Sequence, residues 1–260
     1  MDPTDLRRLA GRTGTALGTM EKDQVLTLVL GVLAREPCAR DLAFKGGTAL
    51  SKMYFEGYRF SEDLDFTAAR DVSDDVSDAA PRLLEAGRRA GVRLVRVERV
   101  PGGRSGRTLK IRYEDMNLHP NHVLVQLSLR EKILLPAEPR PIHDPYRVVP
   151  RDARMPTMDL REIAAEKIRS LFMRSQARDL YDLWFLLREG VAVDSEVVEA
   201  KLGWWKDGMA FRPDELRPRI DRIGATWRRD LEPLLGQVPP FEAVADTVRA
   251  RLRTVRAGRA

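Results

Sequence analysis

The sequence is poor in the residues that thiol and zinc chemistry require. Cysteine occurs once, as Cys38 between Pro37 and Ala39, so no internal disulfide can form. Histidine occurs three times, at His119, His122 and His143, and with a single cysteine these make no zinc-ligand spacing. No nucleophile triad can be read from the order of serines, histidines and acids. No uninterrupted apolar run approaches the roughly 20 residues needed to span a bilayer, and the N-terminus lacks the apolar core of a secretory signal. Disulfide-stapled, zinc-bound and membrane-spanning classes are thereby set aside. The expectation is a soluble protein of the reducing cytoplasm with no membrane partner.

What is present is enough for a sizeable core: 43% of the 260 residues are apolar, a length that fits one large domain or two small ones. The formal net charge of +6 fits a polyanionic partner such as RNA or a nucleotide. An arginine-rich coding bias gives the same excess, so charge alone does not decide.

Chemistry concentrates in residues 42–67, LAFKGGTALSKMYFEGYRFSEDLDFT. The pattern predicts a strand, a glycine turn, a helix and a second strand. Alternate residues of a strand share a face, so Ser61, Asp63 and Asp65 point one way and Leu64 and Phe66 the other. Adjacent carboxylates repel unless a cation lies between them. Mg²⁺, which takes one or two carboxylates together with substrate phosphates, suits the pair Asp63 and Asp65. The Gly46-Gly47-Thr48 turn lets backbone approach a phosphate, and the following helix offers N–H groups and a positive dipole end. Lys52 on that helix and Arg59 beyond it are placed with the nucleotide contacts. A glycine pair alone is a turn, and a lone D-x-D is a solvated edge. The two in this order imply phosphoryl or nucleotidyl transfer from a nucleoside triphosphate (NTP).

Around this unit the pattern predicts a short N-terminal helix over 3–18, a buried helix over 21–35 ended by Pro37, and a helix over 79–90 closed by Gly91. Strands are predicted over 92–100, 107–113 and 122–129, with a break at Pro101-Gly102-Gly103, and residues 71–78 form a polar acidic stretch. The strands imply an antiparallel extension of the first sheet. Pro136, Pro139, Pro141, Pro145, Pro150 and Pro156 mark 136–158 as an irregular connector. The expected domains are a sheet domain over 1–150 and a helical domain over 151–260. In the latter, Asp159 caps a helix with Glu162 three residues on, and a second helix runs from about 177 to 188. On it Arg178 and Asp182 stand at i, i+4, a spacing that serves a surface ion pair. Further helices are expected over 194–205, 212–235 with a break near Pro218, and 240–257, with Trp204, Trp205 and Trp227 as packing residues and a frayed tail over 249–256.

The 42–67 stretch resembles the first motif of the DNA polymerase β-type nucleotidyltransferases, a G-[GS] turn followed by a D-x-D strand. More narrowly, KGGTALSK…RFSEDLDF together with E-x3-EK…RDLYDLW at 162–184 is similar to the AbiEii-type nucleotidyltransferase toxins of bacterial toxin–antitoxin and phage-defence systems. The resemblance implies an α+β fold with a mixed sheet, flanking helices and a helical C-terminal domain. In the superfamily a third carboxylate sits on a later strand. The matching position here is Gln126, an amide, and Glu131 lies just past the strand and out of register. In the AbiEii type a helical lysine and a helical aspartate complete the site, and they match Lys167 and Asp182. Lys167 and Asp182, which the resemblance implies, join Ser61 and Asp63 as candidate catalytic residues, with Asp63 and Asp65 as metal ligands and Gly46, Gly47, Thr48, Lys52, Arg59 and Arg178 around the nucleotide. Asp182 is open as base or ligand. The implied reaction is Mg²⁺-dependent transfer of a nucleoside monophosphate from an NTP to RNA, notably the tRNA 3′ end, with a separately encoded antitoxin as partner. A protein-modifying kinase or nucleotidylating transferase, a small-molecule nucleotidyltransferase, and an inactive nucleotide-binding module are the other readings, the last because of Gln126.

Overall fold

A computed structural model of the chain describes residues 3–101 and 105–255. Gly102 and Gly103 of the expected break, and Arg256 of the expected tail, lie outside the described residues. The chain divides into two compact units, Met1–Met158 and Asp159–Ala260.

The first unit begins with helices α1 (Pro3–Thr13) and α2 (Leu17–Leu33). Val25, Leu26, Leu28, Val29, Leu30 and Leu33 bury α2 on most of its circumference, as their crowding implies. Strand β1 (Leu42–Lys45) runs into the short helix α3 (Gly46–Ala49), which continues as one wide π turn over Leu50–Tyr54. β2 (Asp63–Ala68), α4 (Ser73–Asp78), α5 (Ala80–Ala90), β3 (Arg93–Val100), β4 (Gly106–Glu114), β5 (Pro120–Ser128), β6 (Glu138–Pro141) and β7 (Arg154–Thr157) follow. The sheet has the order β3-β4-β5-β2-β1-β7-β6. β3, β4 and β5 form the antiparallel extension, and β5 joins β2 in parallel. Alternation decides what each face does. Leu64, Phe66, Leu109, Ile111, Val123, Val125 and Leu127 are buried, while Asp63, Asp65 and Gln126 lie half-buried on the opposite face.

Two stretches of the first unit differ from the expected elements. The acidic run 71–78 holds α4, because Asp71 accepts from the Ser73 N–H at 3.0 Å and Asp74 and Asp75 favour the positive end of the helix. The connector 136–158 holds β6 and β7. Proline cannot donate to a ladder but fits an edge, and β6, with Pro139 and Pro141, is the edge strand beside β7. β7 pairs in parallel with β1, and the Met158 N–H donates to the Phe44 carbonyl at 3.0 Å.

The second unit is helical: α6 (Leu160–Met173), α7 (Ala177–Arg188), α8 (Ser195–Trp205), α9 (Arg217–Ile223), α10 (Trp227–Leu231) and α11 (Phe241–Arg253). Asp159 caps α6, accepting from the Arg161 N–H at 2.8 Å. The expected 212–235 helix is broken twice, by a tight turn over Pro213–Leu216 and by the turn at Gly224–Thr226. Trp227 is buried, its indole N–H donates to the Pro239 carbonyl at 2.8 Å, and Trp205 is 39% exposed. The tail expected to fray is helical through Arg253, with Arg249 paired to Asp246 and Asp221. No described helix is long and apolar enough to cross a membrane.

Lys201 of α8 is fully buried between two carboxylates of α6, Glu162 at 2.6 Å and Glu166 at 3.0 Å. Glu162, expected in a capping box, is thus a partner of Lys201. Removing one member of a buried ionic group leaves the others uncompensated. Lys201→Ala is expected to destabilise the protein by about 3–5 kcal/mol. Arg228→Ala, which removes an exposed i, i+4 pair, should cost under about 1 kcal/mol. Urea unfolding followed by circular dichroism measures both.

Candidate active site

The site of the first unit is built where β1 turns into α3. Gly46 has φ +77°, a left-handed conformation that glycine adopts without penalty. A Cβ there would come 2.8 Å from Asp65 Oδ2, and one on Gly47 would come 2.2 Å from Arg59 Nη2. The two glycines therefore let a carboxylate and a guanidinium lie against the backbone of the turn. The Thr48 hydroxyl donates to the Asp63 carbonyl, tying the start of α3 to the start of β2. Beneath them the Phe44 and Phe66 rings pack at 5.0 Å. Lys45 is the cross-strand neighbour of Asp65, and Asp65 lies beside Gln126 on β5.

Asp63, Asp65, Gly46, Gly47 and Arg59 are thus brought together. Thr48 is buried and acts on the Asp63 backbone. Ser61 differs from its expected place: β2 starts at Asp63, with a bend at Glu62, so the strand alternation does not extend to Ser61. Lys52 differs more. Its ammonium is buried against Asp23 of α2 at 2.6 Å, and the Tyr146 hydroxyl donates to the same carboxylate at 2.6 Å. Burial first, then the Asp23 charge, pushes the Tyr146 hydroxyl well above its ordinary pKa. The helix spacing gives no sign that Lys52 faces the core, because the wide π turn rotates it away from the register of a regular helix.

Glu131, set aside by register, reaches the site by another route. Beyond β5 the chain places its carboxylate on the Lys45 ammonium. Strand alternation cannot reveal a contact made by a loop.

In the second unit, Lys167 of α6 pairs with Asp182 at 2.8 Å and with Asp179 at 3.1 Å, both on α7, and Arg174 reaches Asp179 at 3.0 Å. Both aspartates are fully buried. Burial raises the Asp179 carboxyl pKa, but the charges of Lys167 and Arg174 and the Arg174 hydrogen bond outweigh it and hold the carboxyl below its ordinary range. Arg178 donates to the Gln176 side chain at 3.1 Å.

The residue pattern and this geometry agree with one family. The family model for the nucleotidyl transferase AbiEii toxin of type IV toxin–antitoxin systems matches residues 28–249. The chain belongs to the AbiEii family. It is therefore a nucleotidyltransferase toxin, with a nucleotide substrate and an antitoxin partner. Among solved structures it is similar to MenT4, a nucleotidyltransferase toxin from Mycobacterium tuberculosis H37Rv. Sequence identity is 23% and the TM-score 0.69, over 99% of this chain and 91% of that one. It is also similar to JHP933 from Helicobacter pylori, at 20% identity and a TM-score of 0.55, over 92% of each chain. At these identities the likeness is one of fold. No curated protein sequence matches the chain.

AbiEii-family chemistry needs an NTP and typically a divalent cation. Asp63 and Asp65 fit such a cation as a two-carboxylate set whose other ligands are phosphates and water. Among the described residues no cluster of three or more His, Cys, Asp or Glu side chains stands ready to hold one.

Gly46→Ala would force an L residue into the left-handed region and drive the Asp65 carboxylate off the turn. Nucleotide transfer is expected to fall on the order of 100-fold, with the circular dichroism spectrum kept. Gly57→Ala is the control. It has a similar φ of +73° but open space around it, so it should cost about 1 kcal/mol of stability and leave kcat unchanged.

Proposed function

We propose that this AbiEii-family chain uses Mg²⁺ to transfer a nucleoside monophosphate from an NTP to an RNA acceptor, the tRNA 3′ end. Such transfer would block translation within a bacterial toxin–antitoxin and phage-defence system of the cytoplasm, until the separately encoded antitoxin neutralises it. The observation that carries this reading is the Asp65 carboxylate seated on the α-carbon of Gly46, next to Asp63. A turn that presents backbone to a phosphate and two acids that share one face is the arrangement phosphoryl chemistry requires.

In this reading Asp63 and Asp65 hold the cation. When bound, it neutralises phosphate charge and aligns the α-phosphorus for in-line attack. Gly46, Gly47 and the N–H groups of the turn receive the phosphates, and Arg59, fixed over Gly47, adds positive charge beside them. Thr48 supports Asp63 from its backbone, and Ser61 lies two residues before it. Lys167 and Asp182 take the roles of the family's helical lysine and aspartate, as a phosphate-facing charge and as base or ligand. Their mutual contact of 2.8 Å supplies each with a counter-charge in a buried setting. Arg178 is a further phosphate contact.

The test is incubation with Mg²⁺, each α-labelled NTP in turn, and total tRNA, beside Asp63→Asn and Asp182→Asn. Label is expected on tRNA with the parent protein, and a decrease of more than about 100-fold in each variant. Label arriving on RNA from the γ-position, on protein instead of RNA, or undiminished with Asp63→Asn would contradict the reading.

A further inference from the structure

We propose that Lys45 is a catalytic residue that binds the triphosphate of the NTP, and that Glu131 is the positioning residue that fixes it. The inference rests on the nucleotidyltransferase reading of the turn.

Lys45 is the last residue of β1 and leads directly into Gly46. As the cross-strand partner of Asp65, it lies on the carboxylate face of the sheet. Only 8% of it is exposed. Taking an ammonium out of water is costly, and a site that needed packing alone would hold an apolar residue there at less cost. The Glu131 carboxylate, itself mostly buried, meets the Lys45 ammonium directly across 86 residues of sequence. The chain beyond β5 therefore sends an acid back to the face where β5 itself offers Gln126. A lone acid at that point would add to the repulsion between Asp63 and Asp65; with Lys45 it forms a neutral pair.

Lys45 and Arg59 bracket the glycine turn, one preceding Gly46 and the other covering Gly47. An ammonium carries three N–H donors in a flexible arrangement, so it can keep its Glu131 bond while it contacts a phosphate oxygen. The carboxylate removes the rotamer freedom that would otherwise be lost when the nucleotide binds. It acts on the substrate only through the lysine, so the two residues are energetically dependent.

The α,β-methylene analogues of the four ribonucleoside triphosphates, with Mg²⁺, are titrated calorimetrically into the full chain and into Lys45→Met, Lys45→Arg, Glu131→Gln and the double variant Lys45→Met/Glu131→Gln. Circular dichroism and thermal unfolding check each fold. Lys45→Met is expected to weaken binding more than about tenfold, Lys45→Arg and Glu131→Gln less. The double variant should bind no worse than Lys45→Met alone, the non-additivity of a residue that works through its neighbour. In steady-state transfer the Glu131→Gln loss should appear in KM for the NTP rather than in kcat. A pair that merely pins the loop would lower the unfolding temperature and leave affinity unchanged, which would overturn the proposal. Multiplicative losses in the double variant would overturn the dependence. Should Lys45→Met not fold, unchanged affinity in Glu131→Gln is decisive against it. Analogue binding that depends on Lys45 in a protein that transfers the γ-phosphate would leave the proposal standing and remove the nucleotidyl reading. Normal α-label transfer by Lys45→Met would do the reverse.

Discussion

The first unit is organised around an approach that only a missing side chain permits. Asp65 lies where a Cβ on residue 46 would intrude at 2.8 Å, and the left-handed φ of Gly46 aims the chain from β1 into α3 at the same point. One glycine thereby sets the direction of the helix, the seat of the carboxylate and the distance between the backbone of the turn and its acids. Gly47 repeats the device for Arg59. The remaining architecture holds this contact in register. The paired Phe44 and Phe66 rings lie under it, the Thr48 hydroxyl is bonded to the Asp63 carbonyl, and β5 flanks Asp65 with Gln126.

Each unit also contains buried charge that is locally matched. In the first, Lys52, Asp23 and Tyr146 join the π turn, α2 and the 144–149 loop, where the Asp144 carboxylate accepts from the N–H groups of Tyr146, Val148 and Val149. In the second, Lys201 serves Glu162 and Glu166, and Lys167 serves Asp179 and Asp182. Groups of this kind contribute little net stability against an apolar core, yet losing one member is costly. They fix which turn of each helix meets its neighbour. That is the constraint a site made from side chains on separate elements requires.

The strand–turn–helix–strand order of 42–67, the three strands of the extension and the helices at 160–173, 177–188 and 195–205 are legible because periodicity and glycine position reflect local physics, whereas the turns that break 212–235 carry no such signal. β6 and β7 were not, since prolines that bar a central strand are compatible with an edge. The α4 helix is hidden by a polar sequence whose helical signals are the Asp71 carboxylate bonded to the Ser73 N–H and the acids of the first turn. Within the site, the face shared by Asp63 and Asp65 followed from alternation, but its limit at Asp63 did not, and Ser61 falls in the bend before the strand. The position of Lys52 is not legible because a π turn changes the helical phase. The contact of Glu131 is not legible because a loop makes it. Arg59, by contrast, was named from charge alone, and its seat on Gly47 is a tertiary fact.

The central claim is that the Gly46–Asp65 contact makes a place for a metal and a triphosphate together. Mn²⁺ substituted for Mg²⁺, followed by electron paramagnetic resonance in the presence and absence of a non-hydrolysable NTP, tests it most directly. Two carboxylates without phosphate oxygens should hold Mn²⁺ weakly. The triphosphate should tighten binding more than about tenfold, and Asp65→Asn should abolish the tightening. Equal Mn²⁺ affinity with and without the nucleotide, or the same enhancement in Asp65→Asn, would contradict the account.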